Sequence, residues 1–298
     1  MAALFITCSE KWWHIDGVPT WNQIFGAADL SDEYTAVTDS EVTVHFIDVG
    51  QGDCELIMTP DKNVLIDCGE KEYSDAVIAY LKAQSITRLD YIIVTHPHSD
   101  HAGGMSYIIN EFETGTVIMP KIKDSVVPTT STYKRLLKAI SKNNISVEYA
   151  KAGAEYDLGG GSKMDIIAPV SDYDDLNNYS VVMKFTHGSN SFLFTGDIEK
   201  QAESDILDSG ADIGADVVKV AHHGSSTSST KAFIKAVSPR IAVVEVGSPN
   251  SYNHPNKDTL KRYGKVVDTI YRTDINGSIV FESDGEGFNI ITEKGGDE

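Results

Sequence analysis

The 298-residue chain predicts an α/β fold of four layers, two β-sheets face to face with helices covering both outer sides (an αββα sandwich). Three observations carry that expectation. Short β-branched runs alternate with helical stretches, and hairpins interrupt the alternation. One plan occurs twice: a strand pair ending in aspartate, a helix, then an apolar strand ending in histidine. Tyr91-Ile92-Ile93-Val94-Thr95-His96 thus matches Val217-Val218-Lys219-Val220-Ala221-His222. A hydrophobic content of 41% is enough to fill a core, and no linker composition divides the chain. Residues 41–298 are therefore expected to form one domain of two pseudo-repeated halves, with residues 1–40 as an N-terminal extension.

The extension carries Trp12, Trp13 and Trp21 among polar residues and reads as a segment packed by its aromatics on the main body. Val42 to Asp48, Glu55 to Met58 and Asn63 to Asp67 have the pattern of adjacent antiparallel strands. Tyr73 to Gln84 reads as a helix with Val77, Ile78 and Leu81 on one face, and Leu89 to Thr95 as a buried strand. In the second half, Ser180 to Thr186 and Phe192 to Thr195 form a hairpin over His187-Gly188-Ser189-Asn190. A helix near Glu199 to Leu207 and the strand Asp216 to Ala221 follow. Helices at Thr230 to Val237 and Asn256 to Tyr263 flank the strand Ile241 to Val246. Strands near Val266 to Tyr271, Ser278 to Glu282 and Phe288 to Thr292 close the chain.

Composition narrows the function. Lys+Arg 25 against Asp+Glu 44 gives a net charge of −19, which repels phosphate backbones and disfavours generic duplex binding. Cys8, Cys54 and Cys68 are too few and too irregularly spaced for a disulfide framework or a thiolate zinc site. Cys54 and Cys68 read as small buried apolar residues. No apolar run approaches the ~18 residues of a membrane-spanning helix, so no stable membrane insertion is expected. The opening eight residues lack a basic region and read as a frayed start. A cytoplasmic location is favoured, with an exported or lipid-anchored form ending its leader at Cys8 as the alternative.

The strongest chemical signal is His96-Pro97-His98-Ser99-Asp100-His101, four metal-ligand side chains within six residues after a buried strand. Gly103-Gly104 permits a sharp turn before the next helix. Imidazole and carboxylate donors together suit zinc, manganese or iron, and neighbouring side chains of one loop can reach two ions. The duplication makes His222 a further ligand, because it ends its strand as His96 does. Asp67 reads as the carboxylate that orients a metal-bound imidazole. Asp48, Gln51 and Asp53 occupy a Gly-rich turn expected to line the site, and Lys219 is either an ion-pair partner or a substrate contact.

The His-x-His-x-Asp-His loop resembles the signature of the metallo-β-lactamase superfamily. Ile66-Asp67-Cys68-Gly69 and Phe194-Thr195-Gly196-Asp197 look like that family's early Asp-Gly turn and bridging-aspartate strand. Three further stretches look like the hydrolase domain of the ComEC competence family and its free-standing relatives: Asp48-Val49-Gly50-Gln51-Gly52-Asp53, Lys219-Val220-Ala221-His222-His223-Gly224-Ser225 and Asn253-His254-Pro255. The likeness covers about residues 42 to 285 and includes no membrane channel.

The resemblance implies two divalent ions, zinc first and manganese as the alternative. It places His96 and His98 on one ion, Asp100 and His101 on the other, and Asp197 across both. His223 and His254 are open to either the second ion or the substrate phosphate. Between the loop and the bridging aspartate the only histidine is His187, which reads as a surface residue. An oxygen donor near Asn178 or Ser180, or water, is expected to complete the first site. His14 and His45 read as structural.

The implied activity is phosphodiester hydrolysis by a hydroxide formed at the binuclear site, with Asp100 fixing it and His223 or His254 assisting the leaving group. DNA, single-stranded above all, is the first substrate class. Lys121, Lys123, Lys134, Arg135, Lys138 and Lys142 supply a basic lip or an ordinary solvated helix face. An esterase for a small or cell-envelope phosphodiester such as phosphorylcholine is the alternative, and a non-catalytic metal-containing binding module is the third.

Overall fold

The computed structural model describes residues 41–295. The expected extension over residues 1–40, with Cys8, His14 and its three tryptophans, lies outside them. Two sheets stack within the described residues. The first has eight strands in the order β15-β14-β1-β2-β3-β4-β5-β6, and the second has seven in the order β13-β12-β11-β10-β9-β8-β7.

The first half of the chain builds a meander and then a parallel run. β1 (Val42–Phe46), β2 (Glu55–Met58) and β3 (Asn63–Ile66) pair antiparallel. Helix α1 (Ser74–Ala83) crosses over to β4 (Arg88–Ile93), which pairs parallel to β3. Two short helices, α2 (Ser99–Ala102) and α3 (Met105–Glu111), lead to β5 (Glu113–Met119). Helix α4 (Ser131–Lys142) then leads to the edge strand β6 (Ser146–Tyr149).

The second half repeats the plan. β7 (Glu155–Gly159) and β8 (Ser162–Ala168) open the second sheet. β8, β9 (Val182–His187) and β10 (Asn190–Phe194) form the antiparallel meander. Helix α5 (Lys200–Ser209) crosses to β11 (Val217–Lys219), parallel to β10. Helices α6 (Lys231–Val237) and α7 (Lys257–Tyr263) alternate with β12 (Ile241–Val244) and β13 (Thr269–Arg272). A final turn of helix, α8 (Thr273–Asn276), returns the chain to the first sheet. There β14 (Ile279–Ser283) pairs with β1, and β15 (Phe288–Thr292) closes the edge.

The alternation of side chains along each strand explains the four layers. Val44, Phe46, Val64, Ile66 and Ile93 of the first sheet meet Phe185, Phe192, Phe194 and Val217 of the second in the central core. The opposite faces carry Leu56, Leu65 and Ile92 under α1, α3 and α4, and Val182, Leu193, Val218 and Ala242 under α5 and α6. Cys54 and Cys68 are free, buried and part of this packing. The expected four-layer α/β sandwich and its duplication are both present. Strand ends differ from the expected ones where the chain leaves the sheet toward the site. β1 stops at Phe46 and β11 at Lys219, because the following residues turn into loops that carry polar side chains. Four strands, β5 to β8, and helix α4 were not delimited in the sequence.

Candidate metal centre

Both halves end their third and fourth meander strands at the same edge of the sandwich, so their loops converge. His96 lies three residues beyond β4 and His222 three residues beyond β11, the equivalence expected from the duplication. Within α2, Asp100 and His101 are consecutive and therefore splay by about 100° around the helix. His101 turns fully inward, while Asp100 reaches the cavity wall. His222 and His223 both adopt left-handed backbone, with φ of 54° and 50°. That pair sends His222 to the cavity at 22% side-chain exposure and His223 inward at 2%. The β1–β2 turn packs on the histidine loop. A Cβ at Gly52 would collide with the Asp100 carbonyl, and the Asp53 N–H donates to that same oxygen at 3.2 Å.

The inner hydrogen bonds fix which nitrogens face the centre. Asp67 accepts the Thr95 N–H (2.9 Å) and the Thr95 hydroxyl, and it receives His101 Nδ1 at 2.7 Å. His101 Nε2 then points at Asp197 Oδ2, 3.2 Å away. His223 Nδ1 donates to the Glu245 carbonyl at 2.9 Å, leaving its Nε2 3.4 Å from Asp100 Oδ2 and 3.7 Å from Asp197 Oδ2. His96 Nε2 and His98 Nδ1 stand 3.0 Å apart. His222 Nε2 is 3.7 Å from Asp197 Oδ2, and its Nδ1 is 3.4 Å from Glu199 Oε1. His254 completes the wall, with its ring 5.6 Å from that of His222.

Several buried atoms here have no hydrogen-bond partner: His101 Nε2, His223 Nε2 and Asp197 Oδ1. Leaving three such groups unsatisfied costs free energy unless something else engages them. Imidazole and carboxylate atoms aimed at one point are the donor set of a divalent cation, and two nitrogens about 3 Å apart can share one ion at ~2.0–2.1 Å from each. Asp53, His101, Asp197 and His223 bring ligand atoms within 4.8 Å of one another. The electrostatics agree with a place for positive charge. Burial disfavours a charged His223, yet Asp197 and Asp53 outweigh it and lift the imidazole to about 10. His101 is raised in the same way, against burial, chiefly by Asp197 and Asp53. His254 goes the other way, to about 4, through burial and the neighbouring His223 and His222.

A second layer lies behind the donors. Lys219 is fully buried, bonds Asp53, and donates to the Gly196 carbonyl at 3.0 Å. Glu55 and Glu245 are buried beside it; burial drives both carboxyls up, Glu245 to about 8, with Glu245 repelling Glu55 and Asp53 repelling Glu245. Glu245 still accepts the Cys54 N–H at 3.1 Å. Neither glutamate was singled out in the sequence. The available signal was a carboxylate within an otherwise apolar run, as in Val243-Val244-Glu245-Val246, just beyond the end of β12.

The remaining expected residues fall in different places. Gln51 lines the cavity, and its Oε1 accepts the Gly247 N–H at 3.3 Å. Asp48 is not on the cavity wall. It accepts the Gly50 N–H at 3.0 Å and pairs with Lys294 at 3.2 Å, as a turn-closing aspartate does. Asn178 is not available as an oxygen donor to the first ion, because its Oδ1 accepts the N–H groups of Glu199 (3.1 Å) and Ala202 (3.2 Å) at the start of α5. Ser180 Oγ lies 3.3 Å from His96 Nδ1, the nitrogen turned away from His98, and it accepts the Asp197 N–H at 3.0 Å. It holds the ring and the aspartate in place. His187 ends β9 and bonds Ser283 at 2.7 Å. His45 is buried in β1 between Thr43 and Tyr80, and burial lowers it to about 3.

Residues 47–247 match the metallo-beta-lactamase superfamily, and with this fold and ligand geometry the chain belongs to that superfamily of metal-dependent hydrolases. Three of its curated relatives, ComE operon protein 3, competence protein ComA and recombination protein 2, are ComEC-like. ComE operon protein 3 of Bacillus subtilis (strain 168) is 30% identical over 261 residues, 81% of this chain and 33% of that protein. Competence protein ComA of Neisseria gonorrhoeae is 26% identical over 269 residues, 89% of this chain and 36% of that protein. The chain thus spans about a third of the length of these relatives. Among solved structures, CmlA, a diiron beta-hydroxylase from Streptomyces venezuelae, shares the fold at a TM-score of 0.51 and 14% identity, over 78% of this chain and 53% of that one. Tm1679, a metal-dependent hydrolase of the beta-lactamase superfamily, does so at 0.50 and 12%, over 78% and 95%. Among the described residues no helix is long and apolar enough to cross a membrane.

Proposed function

We propose that this chain is a binuclear phosphodiesterase that cuts DNA, single strands in preference to duplex. The observation that carries the reading is that His101 Nε2, His223 Nε2 and Asp197 Oδ1 are buried without a hydrogen-bond partner beside a cavity of about 380 Å³, Asp197 Oδ1 having only the Lys219 ammonium 3.7 Å away. His96 Nε2 and His98 Nδ1 would hold one ion; Asp100, His101 Nε2 and His223 Nε2 the other; and Asp197 both. Two divalent ions there would lower the pKa of water toward neutrality and stabilise charge on a phosphoryl group. Zinc is the first expectation and manganese the alternative.

The protein's own groups supply the rest. Asp67, through Thr95 and His101, fixes the tautomer of that ligand, and the Glu245 carbonyl does so for His223. His222, whose Nε2 lies 3.7 Å from Asp197 Oδ2 but whose side chain is partly exposed, and His254 line the cavity and would meet the scissile phosphate and its leaving oxygen. Support for DNA comes from relatives named for competence and recombination. It comes also from α4, whose first turn reaches the cavity at Thr132 while Lys134 and Lys138 stay exposed. The lip is weaker than its composition, since Lys123 is engaged by Asp174.

The test is purified protein loaded with zinc or manganese and given single-stranded DNA, duplex DNA, bis-p-nitrophenyl phosphate and p-nitrophenyl phosphorylcholine. Metal-dependent cleavage of the first and third is expected, with Asp197→Ala losing both bound metal and at least roughly a hundredfold in turnover. Turnover of p-nitrophenyl phosphorylcholine without DNA cleavage would replace this reading with a small-phosphodiester esterase. Stoichiometric metal with no ester turned over would replace it with a binding module.

A further inference from the structure

Tyr252 stands on the cavity wall beside the ligand histidines and is 62% exposed. Its ring lies nearly parallel to that of His254, at 25° and 5.8 Å between centroids, so the histidine backs one face. The loop that presents it is held by a single amide. Asn250 Nδ2 donates to the carbonyls of Gly247 and His254, each at 2.7 Å, and Asn250 Oδ1 accepts the N–H groups of Tyr252 and His254, each at 3.1 Å. Gly247 in turn donates to Gln51 Oε1 at 3.3 Å, which fixes the Gln51 amide on the same wall with its buried Nε2 lacking any partner. An aromatic face already fixed in orientation thus flanks the centre proposed to take the phosphate.

We propose that Tyr252 is a stacking platform for the nucleobase next to the scissile phosphate. The inference rests on the phosphodiesterase reading and adds the feature that would make it select unpaired nucleotides. A base can reach this ring only when it is unstacked from its own strand, which a duplex does not offer without base extrusion. Besides the histidines, Asp100 and Asp197, the polar lining is neutral, Gln51, Ser99, Thr130, Thr132 and Asn177, and among the described lining residues there is no Lys or Arg. Hydroxyl and amide groups suit base edges and phosphoryl oxygens. A quaternary ammonium calls instead for an aromatic cage, and Tyr252 is the one Phe, Tyr or Trp ring among the described lining residues.

The experiment compares a short oligothymidylate with an oligonucleotide of equal length in which abasic tetrahydrofuran units replace the bases, using the metal-loaded full chain. The wild type is expected to prefer the base-containing strand in kcat/KM. Tyr252→Ala should lose roughly 5- to 150-fold on it and nothing on the abasic strand, while Tyr252→Phe keeps the preference. Metal content and thermal midpoint of the variants check that the loop and centre are intact. Equal losses on both strands, or no loss on either, would overturn the platform while leaving phosphodiester hydrolysis standing. Hydrolysis of bis-p-nitrophenyl phosphate with neither oligonucleotide cut would remove the DNA reading and the platform with it.

Discussion

His222 and His223 are neighbours with the same side chain and nearly the same backbone angles, yet the structure gives them different surroundings. His223 is buried, its Nδ1 committed to a carbonyl and its Nε2 partnerless among Asp100 and Asp197. His222 is part-exposed and leans on Glu199. Replacing His223 with Ala is expected to remove about one metal per chain, read by elemental analysis. His222→Ala should keep the metal and lose roughly 10²–10⁴-fold in turnover. The reverse pattern would move the ligand role back to His222, where the duplication argument puts it. At this scale the histidine loop was legible because its residue types have little other use after a buried strand. Asp67 was legible for the same reason: a carboxylate closing an apolar strand needs a partner. Glu55 and Glu245 were not, because a buried carboxyl that shares its neighbourhood with Lys219 leaves no spacing pattern. Asp48 and Asn178 misled because the polar residues of turns and helix starts are of the same types that bind substrates and metals.

Asn178 shows how an element can depend on a residue outside it. The N-cap of α5 is Glu199, whose side chain makes no cap bond, and the Asn178 carbonyl oxygen does that work from the turn Asn177–Tyr179. Asn178→Ala is expected to lower unfolding stability by about 1 kcal/mol, up to ~2, measured by urea titration, with metal stoichiometry unchanged. A loss of one metal without a change in stability would restore the ligand reading. Elements with an inward face and an outward face were legible, the helix α1 and the hairpin β9–β10 among them. The edge strand β6 was not: all four of its residues are exposed, so it carries no alternation to read. β5 shows three part-buried residues in a row before its apolar end, which blurs its start in the same way.

For the molecule, the proposed donors come from both sheets. His96, His98, Asp100 and His101 follow β4 in the first, and Asp197 and His223 follow β10 and β11 in the second. A bound ion therefore ties the two halves in the folded state only, and it should stabilise by about 2.7 kcal/mol when free metal exceeds its Kd a hundredfold. For a chain of this size that is a rise of roughly 4–5 °C in thermal midpoint, reversed by a chelator and absent in Asp197→Ala. A midpoint indifferent to metal would mean that the ligands do not join across the sandwich. The duplication was legible in the repeated strand endings.

The split donor set has a consequence for synthesis. A nascent chain that has emerged as far as β6 presents the whole histidine loop but neither Asp197 nor His223, so it holds half of the proposed ligand set. The second half arrives only with the strands that cover the first sheet. On the proposed ligand set, metal capture by the finished centre would be a late event on the ribosome, and an ion picked up earlier would be held by the loop alone, weakly enough to be exchanged.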